Sequence, residues 1–214
     1  GEYLVFDAEF GSLIQICPSE GGNPVRIVPE KVPIIHSGMP CWSPDGKYIA
    51  FHSKGVLWTL DLGKGTLRKI FSMNGNVVVP FDWTPDGNYI IADIRDTINR
   101  GEADIWKISL KDPGGKAEQL TFLEGYQVEP SISPDGSMIV FSSWKDRESS
   151  MDLFIISSEG GEPVQITSGE GHESEASWSP DGKRIAFSST RSGYWAIWIM
   201  EPDIQSIKEK LKIE

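Results

Sequence analysis

A tight turn of the form Ser/Thr-Pro-Asp-Gly occurs four times in this chain, and it constrains the fold more than any other feature. Each copy follows a Trp or Ile and precedes a short apolar run, at residues 42–51, 83–92, 132–141 and 178–187. The steps between the turn aspartates are 41, 49 and 46 residues, counted through Asp45, Asp86, Asp135 and Asp181. A period in the forties is typical of the four-stranded blades of a β-propeller.

The residues of this phrase predict a turn and not a metal site. Proline presets φ at the second position, aspartate tolerates the third, and glycine accepts the backbone angles with which the chain turns back. Four repeated aspartates would also suggest a cation site, but every copy occupies the same turn position. We therefore interpret these residues as structural turn residues: Asp45, Gly46, Asp86, Gly87, Asp135, Gly136, Asp181 and Gly182.

Each turn lies between the first two strands of a repeating unit, whose strands we call a, b, c and d. Strand a ends at the turn, and strand b is the continuous apolar run after it, which indicates burial on both faces. Strand c carries an aromatic at the same place in four copies, and a Gly-rich turn leads on to strand d. The aromatics are expected to pack between neighbouring units. This order predicts an all-β protein, a β-propeller of four-stranded antiparallel blades.

Five units are recognisable, and the first of them is incomplete. Residues 1–6 align with residues 46–51, so the chain begins at the glycine of a turn and strand a of the first unit is absent. The units predict a five-bladed ring or an incomplete six-bladed one. Either a longer parent was cut, or the C-terminus supplies the missing strand. We assign residues 1–203 to the propeller and 204–214 to a tail, which forms a short helix capped by Asp203 or an outer strand.

The repeated phrase resembles the TolB-like, WD40-like (PD40) β-propeller repeat, in which a strand ending in Trp-Ser-Pro-Asp-Gly precedes a strand ending in Phe and Ser. The match covers residues 42–53, 83–93, 132–143 and 178–189, with a half-copy at 1–8. Similar propellers occur in the Tol envelope system, beside peptidase domains of the prolyl oligopeptidase type, and in oligogalacturonate lyases. The resemblance implies a periplasmic or secreted bacterial protein, although this chain shows no signal peptide and no separate α/β domain.

The net charge and the sequence motifs indicate which classes of ligand and enzyme are disfavoured. The net charge of −11 disfavours a nucleic-acid partner, because phosphate backbones need a basic face, and it suits a cationic ligand. No apolar run approaches the roughly 20 residues that span a bilayer, so membrane insertion is not expected. Gly-x-Ser-x-Gly, His-Glu-x-x-His, P-loop and dinucleotide motifs are absent. His36 and His172 are the conceivable metal-binding pair of a lyase, but the sequence predicts no metal and no cofactor.

Candidate binding residues follow from propeller geometry. The a–b and c–d turns share one side, which we call the turn side, while the b–c and d–a loops form the opposite, loop-rich face. Loops on a rigid scaffold are common recognition sites. Glu129 and Glu175 precede their turn aspartates by six residues, at the entrance to strand a, so they are expected at the channel mouth. The full candidate set is Glu129, Glu175, His172, Trp144, Arg147, Arg95 and Tyr194.

Two alternatives remain at these positions. Trp144 is either an exposed anchor or a ring folded onto its own blade. The two glutamates either attract a cation or basic segment by focusing negative potential, or are solvated charges that satisfy backbone amides. The sequence favours a non-catalytic scaffold that binds a protein or peptide, and an open ring would permit oligomers. A fragment of a propeller enzyme, such as a lyase or prolyl oligopeptidase, is the alternative, and a structural module of a longer secreted protein is a third.

Overall fold

The computed structural model describes residues 1–8, 13–28, 37–97, 102–111, 116–146, 148–169 and 171–213. Within these residues, antiparallel strands follow one another in successive repeat units, and a short helix comes last. The all-β propeller class predicted from the sequence is therefore confirmed.

The strands fall into five units, in the order expected from the repeat. Unit 1 contributes strands b to d as β1 (Tyr3–Ala8), β2 (Leu13–Pro18) and β3 (Val25–Arg26). Unit 2 is complete, with β4 (Ser37–Trp42), β5 (Tyr48–Ser53), β6 (Val56–Asp61) and β7 (Thr66–Phe71). Unit 3 comprises β8 (Asn76–Trp83), β9 (Tyr89–Asp96), β10 (Ala103–Ser109) and β11 (Ala117–Gln119). Unit 4 comprises β12 (Tyr126–Ile132), β13 (Met138–Trp144), β14 (Asp152–Ser157) and β15 (Val164–Gln165). Unit 5 contributes strands a to c as β16 (Glu173–Trp178), β17 (Ile185–Ser189) and β18 (Ala196–Met200), and α1 (Ile204–Leu211) follows.

The four a–b turns share one hydrogen-bonding pattern. In the first, the Ser43 hydroxyl donates to Asp45 Oδ1 at 2.7 Å, and the Lys47 amide donates to the same oxygen at 3.1 Å. The glycines of the four turns have φ values of 68°, 68°, 75° and 67°. Glycine occupies this left-handed region at no steric cost, because it has no Cβ. Each turn is thus held by its own side chain and its own glycine.

Neighbouring units pack through large apolar residues of strands a, b and c. Between units 4 and 5, Leu153 and Ile155 of β14 lie in one cluster with Trp178. The indole nitrogen of Trp178 also donates to the Ser131 carbonyl of the preceding unit at 3.2 Å. Trp83 forms the corresponding bond to the Cys41 carbonyl at 3.3 Å. In units 3 and 5, the tryptophan before the turn therefore ties its unit to the unit before it.

Units 1 and 5, at the two ends of the series, expose strand faces whose equivalents are buried in the units between them. Ile197 and Ile199 of β18 are 74% and 64% exposed, whereas their equivalents Leu153 and Ile155 in unit 4 are fully buried. In unit 1, β1 pairs with β2 alone among the described strands. The described strands of units 1 and 5 make no extensive contact with each other.

The C-terminal segment is helical, which decides between the two alternatives for the tail. Asp203 caps α1 by accepting a hydrogen bond from the Ser206 amide at 3.0 Å. The helix packs against β14 and β15 of unit 4, where Ile207 is buried. The apolar face of this helix lies over unit 4, so residues 204–211 do not form a strand beside β1, which was one of the two alternatives for the missing strand. No helix in the described part of the chain is long and apolar enough to cross a bilayer.

Candidate functional site

A bulge interrupts strand a at the loop-rich end of units 2 to 5. The register between strands a and b shifts once in each of these units. At the shift, Met39, Glu129 and Glu175 adopt φ values of 50°, 57° and 54°, which non-glycine residues rarely take. Bulges of this kind re-aim a side chain and occur often beside functional sites. The two glutamates singled out by the sequence are thus placed by the same backbone irregularity.

Glu129 and Glu175 belong to one hydrogen-bonded chain that crosses units 4 and 5. Glu129 Oε2 accepts from the Ser142 hydroxyl at 3.2 Å and from the Glu175 amide at 2.9 Å. Glu175 Oε2 in turn accepts from the Ser188 hydroxyl at 3.0 Å. All of these donors are neutral, so the bonds orient the carboxylates without cancelling their charge. Glu129 is half-buried and Glu175 is exposed.

A buried ion pair in unit 3 adjoins this chain. Arg95 binds Asp93 through two parallel hydrogen bonds of 2.9 Å, from Nε to Oδ1 and from Nη2 to Oδ2. The Asp93 side chain has no exposed surface, while that of Arg95 is 46% exposed. Burial raises the pKa of Asp93, and the Arg95 hydrogen bonds counteract that rise. Asp93 Oδ2 also accepts from the Glu129 amide at 3.4 Å, which joins unit 3 to unit 4.

His52 occupies the position in strand b of unit 2 that Asp93 occupies in unit 3. Burial lowers the pKa of His52, with a further contribution from the Arg95 charge, so the imidazole is neutral at neutral pH. Its buried Nδ1 atom has no hydrogen-bond partner among the described groups. A Cβ at Gly38 would lie 3.3 Å from His52 Nε2 and 3.4 Å from Asp7 Oδ2. The glycine therefore leaves room for both side chains beside strand a.

We call Asp93, Arg95, Glu129, Ser142, Glu175 and Ser188 the mouth network. Three carboxylates face one guanidinium within it, so its formal charge is negative when the acids are ionised. Low-dielectric walls strengthen the potential of such a cluster. The arrangement can hold a basic group by charge and by hydrogen bonding. Its two serine hydroxyls donate to the glutamate carboxylates and thereby orient them.

The described contacts of His172 and Trp144 are with residues outside the mouth network. His172 Nδ1 accepts from the Met151 amide at 3.3 Å, and the histidine backbone bonds to Thr190. These bonds join the His172 imidazole to Met151 and the His172 backbone to Thr190. The Trp144 ring stacks on Tyr126 at 4.8 Å between centroids and 10° between planes. Trp144 is thus folded onto its own unit and is not a free anchor.

The remaining candidates have different surroundings. Tyr194 is 70% exposed in the b–c loop of unit 5, beside exposed Trp195. Arg147 lies outside the described residues, as does His36. In the b–c loop of unit 5, Arg191 Nη2 lies 3.0 Å from Oε1 of the buried Glu173. The Glu173 carboxylate is therefore paired with Arg191.

Sequence reasoning missed Asp93, Ser142 and Ser188. These residues and His52 lie at equivalent positions of strand b, six residues after the turn glycine of their unit, so the repeat register alone would have grouped them. Asp93 and Arg95 are also two residues apart on a strand, which places both on one face. No group of three or more His, Cys, Asp or Glu side chains suited to a metal ion occurs in the part of the chain that the structure describes.

Together, the successive sheets, the repeated turn and the polar mouth define a β-propeller of the TolB class. The family model described as the TolB beta propeller domain matches residues 8–148, more than half of the 214-residue chain. The chain belongs to this family.

The chain is also similar to individual relatives and solved structures. It is 31% identical over 150 residues to the uncharacterized protein Atu1656 of Agrobacterium fabrum, covering 66% of this chain and 47% of that protein. It spans about half the length of that relative. The structure of a putative TolB from Agrobacterium tumefaciens is 25% identical, with a TM-score of 0.70, and the match covers 84% of this chain and 62% of that one. An oligogalacturonate lyase from Vibrio parahaemolyticus shares the fold, with 18% identity, a TM-score of 0.62, and coverage of 92% and 56% respectively.

Proposed function

We propose that this protein is a non-catalytic propeller scaffold that binds a protein or peptide on its loop-rich face, around the channel mouth. The observation that carries the proposal is the carboxylate chain of Glu129 and Glu175, which among the described residues accepts hydrogen bonds from neutral donors only. A ligand with a basic side chain would find a net negative charge there, because one guanidinium, that of Arg95, faces three carboxylates. The ligand is therefore a cationic segment of a polypeptide.

The surroundings of the mouth network support this choice of ligand. Glu175 is exposed and can be reached from solvent, and the half-buried Glu129 lies directly behind its amide. The net charge of −11 attracts cations over a longer range and speeds their encounter. Membership of the TolB propeller family supports a periplasmic or secreted location. Binding at a loop-rich face of a rigid sheet scaffold is also consistent with how such scaffolds function.

The proposal is tested with a fluorescein-labelled hexalysine peptide and a hexaglutamate peptide of the same length. Fluorescence anisotropy measures their affinities for the native chain and for the Glu129→Gln/Glu175→Gln variant. The Gln side chains keep the acceptor oxygens that Ser142, Ser188 and the Glu175 amide use. We expect the variant to bind hexalysine on the order of tenfold more weakly, because two charge contacts are lost.

The matched control is Glu20→Gln/Glu162→Gln, which makes the same change in net charge at exposed positions on the turn side. This control should retain most of the affinity. Equal weakening in both variants would mean that hexalysine responds only to overall charge, and the mouth assignment would then fail.

A further inference from the structure

The sheet of unit 5 ends one strand earlier than the sheets of the units before it. In units 1 to 4, strand c pairs with strand d, which is β3, β7, β11 or β15. After β18 the chain forms α1, which packs against unit 4, and in the described part of the chain no strand pairs with the outer side of β18. The outer edge of β18 is therefore open.

The backbone groups along this edge can be identified from unit 4. There the Leu153 amide donates to the Thr167 hydroxyl at 2.8 Å, and the Leu153 carbonyl accepts from the Ile166 amide at 2.9 Å, both on the outer side of strand c. The pairing of strand c with strand b places Ile197 at the position of Leu153. Because backbone direction alternates along a strand, the N–H and C=O groups of Ile197 and Ile199 point away from β17. The described residues supply no hydrogen-bond partner for these groups.

Large apolar side chains are concentrated along the same edge. Ile197, Trp198 and Ile199 of β18 are exposed, and so are Tyr194 and Trp195, which precede the strand. Contiguous exposed apolar patches mark interaction surfaces, and Tyr and Trp are enriched in protein interfaces. The edge of unit 5 thus combines open backbone hydrogen-bonding groups with an apolar surface.

The other described edge strands carry features that oppose pairing with another chain. β3 and β15 are two residues long and β11 is three, while β7 contains the exposed Arg68 and Lys69. β1, which pairs on one side only, contains Asp7. Short length and charge are the usual means by which natural sheets protect their edges. β18 has five residues, Ala-Ile-Trp-Ile-Met, with no charge, no proline and no register shift against β17, so it is suited to edge pairing.

We propose that β18 pairs antiparallel with β18 of a second copy of this chain, about a two-fold axis at Trp198. The sequence Ile-Trp-Ile reads the same in both directions, so this pairing sets Ile197 of one copy opposite Ile199 of the other. It is the register that pairs all five residues of the strand and places outward-facing amides opposite each other. Pairs of β-branched side chains across two strands stabilise a sheet. A two-fold contact closes on itself, so assembly stops at the dimer.

The composition of the edge determines which interactions hold the dimer. No charged residue lies in β18, so backbone hydrogen bonds and apolar burial hold the two copies together. Each copy carries a net charge of −11, and the two copies therefore repel each other over a longer range. Salt screens this repulsion, so dimerisation should strengthen as the salt concentration rises. The dimer does not depend on the function proposed for the mouth network.

Sedimentation velocity of the native chain across a concentration series tests the proposal. We expect a reversible monomer–dimer equilibrium with a Kd of about 10–100 µM, because pairing of one short edge strand buries a small interface. Raising the NaCl concentration from about 0.1 M to about 0.5 M should lower this Kd. Ile197→Lys and Ile199→Lys should each weaken dimerisation by about tenfold or more, since a lysine opposes edge pairing. Val25→Lys is the matched control, because Val25 is exposed on the outer strand β3 and the change in net charge is the same; its Kd should stay at the native value.

Disulfide trapping tests the register of the pairing independently. Under mild oxidation, a mixture of Ile197→Cys and Ile199→Cys chains should form a mixed covalent dimer in higher yield than either variant alone, because these positions face each other across the axis. The native chain, which keeps Cys17 and Cys41, measures the background. A chain that remains monomeric at about 1 mM would overturn the proposal. Assembly beyond two copies, lysine variants that dimerise as the native chain does, or equal trapping in the mixture and in the separate variants would overturn it as well.

Discussion

Replacement of Arg95 by Met removes the partner of a carboxylate that has no access to water. Asp93 has no exposed surface and receives two 2.9 Å hydrogen bonds from the guanidinium, and its other acceptor contact is a 3.4 Å bond from the Glu129 amide. Breaking a buried pair on one side typically costs about 3–5 kcal/mol. Because the Arg95 side chain is 46% exposed, solvent screening reduces this, and we expect Arg95→Met to lower the unfolding free energy by about 2–3 kcal/mol at pH 8.

The loss of unfolding free energy caused by Arg95→Met should become smaller as the pH falls. Burial already raises the pKa of Asp93, and removal of Arg95 raises it further. A carboxyl whose pKa is higher in the folded state binds a proton preferentially there, so the destabilisation shrinks as the pH falls from 8 towards 5. Asp93→Asn in the Arg95→Met background removes the unpaired charge and should restore stability to within about 1 kcal/mol of the native chain.

Urea unfolding followed by tryptophan fluorescence measures these differences at pH 8 and pH 5. Arg68→Met is the matched control, because Arg68 is exposed and the described residues offer it no ion pair. This control should change stability by less than about 0.5 kcal/mol. The account of the buried pair would be refuted if Arg95→Met lowered the unfolding free energy equally at both pH values and Asp93→Asn did not relieve that loss.

Three further changes probe the packing and the turns. Ile207→Ala should lower stability by about 2–4 kcal/mol in urea unfolding, because it empties a buried site between α1 and unit 4; a loss below 1 kcal/mol would show that the helix is not docked. Gly125→Ala should destabilise far more than Gly65→Ala, since its Cβ would overlap the carbonyl oxygens of Trp144 and Lys145 and that of Gly65 meets nothing within 4 Å; similar thermal midpoints would contradict this. The depressed pKa of Asp86 stabilises the fold above about pH 4 and loses that effect as the pH falls to 2. The difference in urea midpoint between Asp86→Asn and the native chain should therefore vanish over that interval, and a constant difference would contradict the turn assignment.

The repeat made the fold predictable, because a turn bonded by its own residues depends on local sequence alone. Ser43 and Asp45 are two residues apart, and their hydrogen bond needs no distant partner. The helical periodicity of the tail and its capping aspartate were visible for the same reason, although an outer strand remained possible. What decided between them was the packing of Ile207 on unit 4, which is a long-range contact.

The site was predictable only in part, because its bonds cross between units. The sequence placed Glu129 and Glu175 at the mouth but could not show that one accepts from the amide of the other, 46 residues away. The stacking of Trp144 on Tyr126 likewise depends on strand pairing.

Amide chemical-shift mapping tests the central claim, recognition at the mouth, most directly. The ¹⁵N-labelled chain is titrated with hexalysine, and the amides of Glu129, Glu175 and Ser188 are followed. We predict that these amides shift in a saturable way and that the shifts disappear in the Glu129→Gln/Glu175→Gln variant. Mouth amides that stay unmoved at saturating peptide would contradict the account.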